Sequence, residues 1–388
     1  MFLVPLPPQL SDVPAQRKTA KGGEFLVLFS ICAKVQAVAK MLGTTVDSVR
    51  RMVVEAGIEV ARQENGPKTR LFSAENVFDL ARHRTTRKSG AKSRTGKQVV
   101  ATVYAPKGGV GKTTIAGDLA CRFSLRGLKT LIVDLDFQGN LTMMYGFETE
   151  MTPEEAAAAG VSRSQIVESH FGSLTPIWPY GRRTLADVVK KPYGENGPHL
   201  IPADLTLDRL DTLLTFETFE GKNSEFTIAR MMRDGMAGKD PSFDIRDYDI
   251  ILFDAAPAKS RLTRGAILAS DYVISPVSME KFSTKALSYL SSVLTEMQEQ
   301  VDRSPELIIV GNFFDAGRVR TMGQLLTITQ TYNDAWLDHT IRRSEDFPKA
   351  LNAENDLPLV LAKPNSPSTV ELAAVADALL ERLGVTNG

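Results

Sequence analysis

The sequence predicts an α/β protein: a mostly parallel sheet covered by helices on both faces, preceded by a small helical module. Three observations carry the prediction. Beyond residue 98, continuous apolar runs of strand length alternate with helical stretches. A loop rich in glycine and lysine closes the first of those runs, and the charge balance changes at the same place. Strands buried on both faces read as unbroken apolar runs, the habit of parallel sheets. The predicted strands are 99–105, 129–134, 249–254, 272–277 and 307–313, with a helix starting at Lys112.

At 388 residues the chain exceeds one ordinary domain. With 43% hydrophobic and 24% charged residues it reads as a soluble globular protein, which excludes wholesale disorder and fibrous repeats. Two cysteines, Cys32 and Cys121, cannot build a disulfide framework or a four-ligand zinc site, so both are expected as small core residues in a reducing cytoplasm. The longest apolar run, residues 25–33, is about half a bilayer span, so neither a membrane helix nor a secretory leader is expected.

Residues 1–98 hold 17 Lys and Arg against 8 Asp and Glu, whereas the remainder holds 29 against 38. A basic first part points to a polyanionic partner, nucleic acid first, with a solvated charged face as the alternative. Residues 84–98 carry six basic and no acidic residues and read as a linker. The expected organisation is an N-terminal segment 1–33 holding a candidate dimerisation helix, a module 34–83, the basic linker 84–98, and a large domain 99–388. The irregular stretch 151–202 reads as an insertion in that domain.

The loop after the first strand is Pro106-Lys107-Gly108-Gly109-Val110-Gly111-Lys112-Thr113-Thr114. Phosphate oxygens need converging backbone N–H donors, which glycines permit, and the following helix adds its dipole. Lys112 supplies charge to the β and γ phosphates of a nucleotide and Thr113 a hydroxyl to Mg²⁺. Pro106 stands where the plain phosphate-loop pattern has its first glycine, so the match is to a variant with a second lysine, Lys107. Asp136 follows the second predicted strand and Asp254 ends a later one, where ligands bind in open α/β sheets. Asp254 is either a strand-end cap or, beside such a loop, a holder of Mg²⁺ through water.

Over residues 98–382 the chain resembles the ParA/MinD family of deviant Walker A ATPases, through KGGVGKTT, DLDFQGN and ILFDAAP. The resemblance implies a twisted, mostly parallel P-loop NTPase sheet and an ATP-sandwiched homodimer that hydrolyses slowly as a timer. It further implies that Lys107 reaches the partner's nucleotide, that Asp136 orients the attacking water, that Asp254 helps hold Mg²⁺, and that Asn312 and the loop at Pro364 hold adenine. Phe137 stands where proline is common in ParA proteins, and Ala255-Ala256-Pro257 departs from the usual Thr or Cys followed by Pro. Residues 368–383 mix acidic residues with alanines and leucines, unlike the basic membrane helix of MinD proteins. No cysteines are placed to hold the cluster of the nitrogenase iron protein branch. ParA fits best.

In the first module, residues 35–42 read as a helix, Gly43 as a turn, and Thr44 with Asp47 as a capping pair. A second helix from Val46 buries Val46, Val49 and Val53 and shows Asp47, Ser48, Arg50 and Arg51, residues suited to phosphates and base edges. Residues 61–73 read as a wing. The stretch resembles a MerR-type winged helix-turn-helix, expected as a small all-α domain, and larger plasmid partition ParA proteins carry such a module. That resemblance implies a cytoplasmic, nucleoid-associated ATPase that segregates DNA. Its ATP-bound dimer would bind DNA without sequence preference through Arg318, Arg320, Arg342, Arg343 and Lys349. A ParB-type protein would stimulate hydrolysis, and the N-terminal module would repress its own operator. The alternatives are a relative that positions a protein cargo and a nucleotide-sensing transcription regulator.

Overall fold

The computed structural model describes residues 33–63, 68–89, 97–279, 284–315, 317–346 and 357–385. The segment 1–32, with Cys32 and the candidate dimerisation helix, lies outside the described residues. The first module opens with helix α1 (Val35–Met41), a turn through Gly43 at φ +59°, and helix α2 (Val46–Glu55). The N-cap of α2 is Thr45, not the expected Thr44–Asp47 pair. Gly43 carries the chain one residue further before the extended cap, and the Thr45 hydroxyl accepts the Ser48 N–H at 3.2 Å. The helix buries Val49, Met52 and Val53, with Val46 half-buried against the same core. Strands β1 (Ala61–Arg62) and β2 (Arg70–Leu71) then pair antiparallel, so the module is not all-α.

Helix α3 (Ala74–Ser89) follows and corrects the linker boundary. Residues 84–89 are its last turns, held because Arg84 donates to the Leu42 carbonyl and the Thr85 hydroxyl to the Arg126 carbonyl at 3.1 Å. At the far end, Lys97 pairs with Asp271 at 3.1 Å and Gln98 donates to the carbonyls of Ile245 and Tyr248. Residues 90–96, the remainder of the expected linker, lie outside the described residues.

Seven parallel strands form the centre: β3 (Val99–Val103), β4 (Thr130–Leu135), β5 (His199–Ile201), β6 (Ile250–Ala255), β7 (Tyr272–Ser278), β8 (Glu306–Phe314) and β9 (Trp336–Arg342). Their order is β5-β4-β6-β3-β7-β8-β9. Sequence reasoning found five of them within a residue or two. It missed both edge strands, β5 and β9. The stretch 151–202 is therefore not simply an insertion, because its end supplies an edge of the main sheet.

Alternate residues of the strands feed different cores. Ala101, Ile132 and Leu252 pack on one face; Val100, Val133 and Phe253 pack on the other. The second face is covered by helices Asp208–Phe219, Glu225–Met236 and Arg261–Ala269. The first face holds helix α4 (Lys112–Leu125) and helix Pro367–Arg382. Beyond its first turn α4 is buried all round, because α1–α3 cover the side turned away from the sheet. Arg122 donates to the Met41 carbonyl at 3.3 Å, Arg82 to the Gly127 carbonyl at 2.8 Å, and Asn196 to Asp79 at 2.9 Å. The first module, expected as an object set apart by a linker, shares one continuous hydrophobic core with the large domain. Among the described residues no helix is long and apolar enough to cross a membrane.

Candidate nucleotide site

Three neighbouring strands deliver the site. Asp254 on β6 lies level with Val103 on β3 and with Asp134 on β4, so the loop leaving β3 rises beside two aspartates at the C-terminal edge. The loop enters α4 through Gly109 at φ +68° and Gly111 at φ +85°. Gly111 is the N-cap and has no side chain to offer, so the first N–H groups of the 14-residue helix remain available to an anion. A Cβ on Gly111 would also stand 2.5 Å from Asn312 Nδ2. Only glycine fits both the backbone and the neighbour.

That neighbour is itself held in place. Asn312, 2% exposed, donates to the Val110 carbonyl at 2.9 Å and accepts the Phe313 N–H at 2.9 Å. These bonds brace the loop that enters α4. The next residue, Phe313, sits at φ +54°, a strained conformation for an aromatic residue, and its ring lies against Gly111. Pro364 is half-buried in a turn whose flanking Lys363 and Ser366 both bind Asp346 at 2.8 Å.

Lys112 is 8% exposed, its ammonium 3.5 Å from the Lys107 carbonyl. Burial lowers its pKa, while the charges of Asp254 and Asp136 pull it back up. Val110 is buried, Lys107, Thr113 and Thr114 half-buried, and Gly108 exposed. Asp254 is 1% exposed and neither carboxylate oxygen has a hydrogen-bond partner. Burial, then Asp134, push its pKa well above the usual carboxylate range; the Thr113 hydroxyl and Lys112 act in the opposite direction. Such an orphaned buried carboxylate is costly unless a donor or cation meets it. Asp136 follows the tip of β4 half-buried, its Oδ1 accepting the Gln138 N–H at 3.1 Å.

The donor set fits a nucleotide phosphate with a hydrated divalent cation. Glycine-loop N–H groups and Lys112 would face the anion, and Thr113 with Asp254 would offer oxygen to a hydrated cation. Among the described residues no group of three His, Cys, Asp or Glu could cage a metal alone, so phosphate oxygens and water would have to complete the shell. Sequence reasoning missed Asp134 and Thr142. Asp134 is fully buried, holds the Asp136 N–H and Thr142, and has its pKa lifted by burial to about 7. Its signal was the Asp-Leu-Asp spacing, which on an extended strand end puts the two carboxylates on the same side.

The residues expected to meet DNA fall in two places. On α2, Asp47, Arg50 and Arg51 are exposed and Ser48 half-buried, with ion pairs Arg50–Asp47 at 3.0 Å and Arg51–Glu55 at 3.9 Å. At the tip of β8 and β9, Arg318 pairs with Asp315 at 3.0 Å, Arg342 with Glu371 at 2.6 Å, and Arg343 N–H donates to the Phe314 carbonyl. These three share one edge of the sheet. The side chain of Arg320 and the whole of Lys349 lie outside the described residues.

An AAA domain profile matches residues 98–307, more than half of the chain. The chain is 27% identical over 305 residues to protein IncC of Escherichia coli, covering 78% of this chain and 75% of that protein. It is 28% identical over 297 residues to the probable plasmid-partitioning protein ParA of Thermus thermophilus, covering 74% of each. The chain belongs to the ParA/MinD family of ATPases. Its fold is shared with a plasmid partition protein of Borrelia burgdorferi bound to AMPPNP, with a TM-score of 0.54, 22% identity, and coverage of 74% of this chain and all of that one. This ParA/MinD chain thus carries its glycine loop in the β3–α4 turn, between the tips of β6 and β7.

Proposed function

We propose that this chain is a Mg²⁺-dependent, DNA-partitioning ATPase of the ParA type. The observation that carries the reading is the orphaned Asp254 carboxylate beside Lys112, Thr113 and a glycine loop whose helix N-terminus is uncapped. The Borrelia structure binds an ATP analogue, which supports ATP and ADP as the ligands here. Bound Mg²⁺ would neutralise phosphate charge. Lys112 and the loop N–H groups, Gly108 to Thr114, bind and orient the phosphates. Thr113 and Asp254 would hold the cation, Asp254 through water. Asp136 orients the attacking water, and Lys107 reaches the partner subunit's nucleotide in a homodimer. Positioning and charge supply nearly all of such a catalysis, so turnover is slow until a partner completes the site.

The ATP-bound dimer binds DNA non-specifically through the edge carrying Arg318, Arg342 and Arg343, and a ParB-type centromere-binding protein stimulates hydrolysis and release. The first module, with its paired helices, antiparallel ribbon and exposed α2 face, acts as a winged helix-turn-helix on an operator when ATP is absent. The intrahelical pairs Arg50–Asp47 and Arg51–Glu55 are worth less than about 1 kcal/mol each, so phosphates displace them at small cost. The IncC and ParA relatives support the partition role.

The test is ATP turnover. Lys112→Gln lowers it by about 100-fold or more, and Asp136→Ala removes hydrolysis while leaving binding of a non-hydrolysable analogue in place. Unchanged turnover in Lys112→Gln contradicts the site.

A further inference from the structure

We propose that Asp134 and Thr142 are positioning residues that set Asp136 for its work; this rests on the ATPase reading above. Asp134 is the last buried polar residue of β4 before the chain leaves the sheet, and Thr142 lies eight residues on, in helix Asn140–Met144. Both side chains are 0% exposed. The single Asp134 carboxylate holds both ends of the intervening loop. Its Oδ1 accepts the Asp136 N–H at 3.1 Å, and its Oδ2 accepts the Thr142 N–H at 3.0 Å and the Thr142 hydroxyl at 2.7 Å.

A hydroxyl has one hydrogen to give. Thr142 gives it to Asp134 and accepts the Ala203 N–H at 2.9 Å, tying the loop to the segment leaving edge strand β5. Inside the bracket the backbone is equally constrained. Gln138 N–H binds Asp136 Oδ1 at 3.1 Å, Gly139 N–H binds the Asp136 carbonyl at 2.9 Å, and a Cβ on Gly139 would stand 2.8 Å from Thr149 Cγ2. The Asp136 carboxylate is thereby fixed in both place and rotation. Within the proposed reaction Asp136 orients water, where a displacement of about 1 Å costs on the order of 100-fold in rate. Both oxygens of this buried carboxylate accept hydrogen bonds from the ends of this one loop, and its role is the register of Asp136. The chain Ala203–Thr142–Asp134–Asp136 also makes the edge strand, which sequence reasoning took for part of an insertion, a support of the site.

The experiment compares Thr142→Val, Thr142→Ser and Asp134→Asn with the wild-type full chain, reading steady-state kcat and the affinity for a non-hydrolysable ATP analogue. Thr142→Val removes both hydroxyl bonds at constant volume. The expected result is a kcat lowered about 10- to 100-fold with analogue affinity within about twofold, and recovery to within about threefold in Thr142→Ser. Asp134→Asn keeps one acceptor oxygen and loses the other, so it lowers kcat without weakening the analogue; it also decides the matter if Thr142→Val does not fold. Wild-type kcat in Thr142→Val, or kcat and affinity falling together with no rescue by serine, overturns the assignment. A wild-type chain that binds ATP but never hydrolyses it overturns the ATPase reading itself, a failure visible before any variant is made.

Discussion

Gly111 concentrates the constraints of the site in one residue. Its φ of +85° is one that side-chain-bearing residues rarely adopt, and Asn312 occupies the space a Cβ would need. Gly111→Ala should cost about 1–3 kcal/mol of stability and weaken analogue binding. Adding Asn312→Ala removes the close neighbour but not the backbone strain, so the double variant should regain part of the lost affinity. Equal loss in single and double variants, measured by titration with a fluorescent analogue, would mean that Asn312 does not brace the loop. The phosphate-loop residues were legible from sequence because glycine and lysine spacing encodes the backbone path itself. The engagement of Asn312 was not, since its partner Val110 lies 202 residues away.

At the scale of elements, α4 joins the site to the rest of the molecule. Its Asp118 is fully buried, accepts the Val360 N–H at 2.9 Å with Oδ1, and leaves Oδ2 without a partner. Burial raises its pKa from 3.8 to about 7. A carboxyl raised in the fold binds an extra proton there between those values, so stability is full below about pH 4, falls as pH rises towards 7, and levels off above. Asp118→Asn should abolish that decline and stabilise the protein at pH 8 by roughly 1–3 kcal/mol, since asparagine keeps the acceptor without the charge. Denaturant unfolding across pH checks it, and an unchanged slope would reject it. The central strands were readable because burial on both faces leaves unbroken apolar runs. The edges were not: β5 is three residues long, and β9 breaks its apolar residues, buried Trp336, Leu337 and Ile341, with exposed Asp338 and His339. The N-cap of α2 slipped by one residue because two adjacent threonines offer the same chemistry.

For the whole molecule, charge composition marked the basic first stretch of the chain but not its attachment. Arg84, which read as the start of the linker, hydrogen-bonds to the Leu42 carbonyl, and Arg82 just before it to the Gly127 carbonyl, and both help fuse the module to the ATPase core. Composition cannot distinguish a solvated arginine from one spent on a carbonyl. With the module docked and the α2 face outward, Arg50→Ala and Arg51→Ala should each weaken operator binding by about 1–3 kcal/mol while sparing ATP-dependent binding to random DNA. Parallel loss of both activities in gel-shift titrations would contradict two separate surfaces. The central claim, that ATP drives a DNA-bound state, is tested most directly by binding of a random-sequence duplex at fixed salt to the apo, ADP-bound and ATP-analogue-bound protein. Tight binding with the analogue alone, falling steeply as salt is raised, is the predicted result. Binding indifferent to nucleotide, or none in any state, would contradict it.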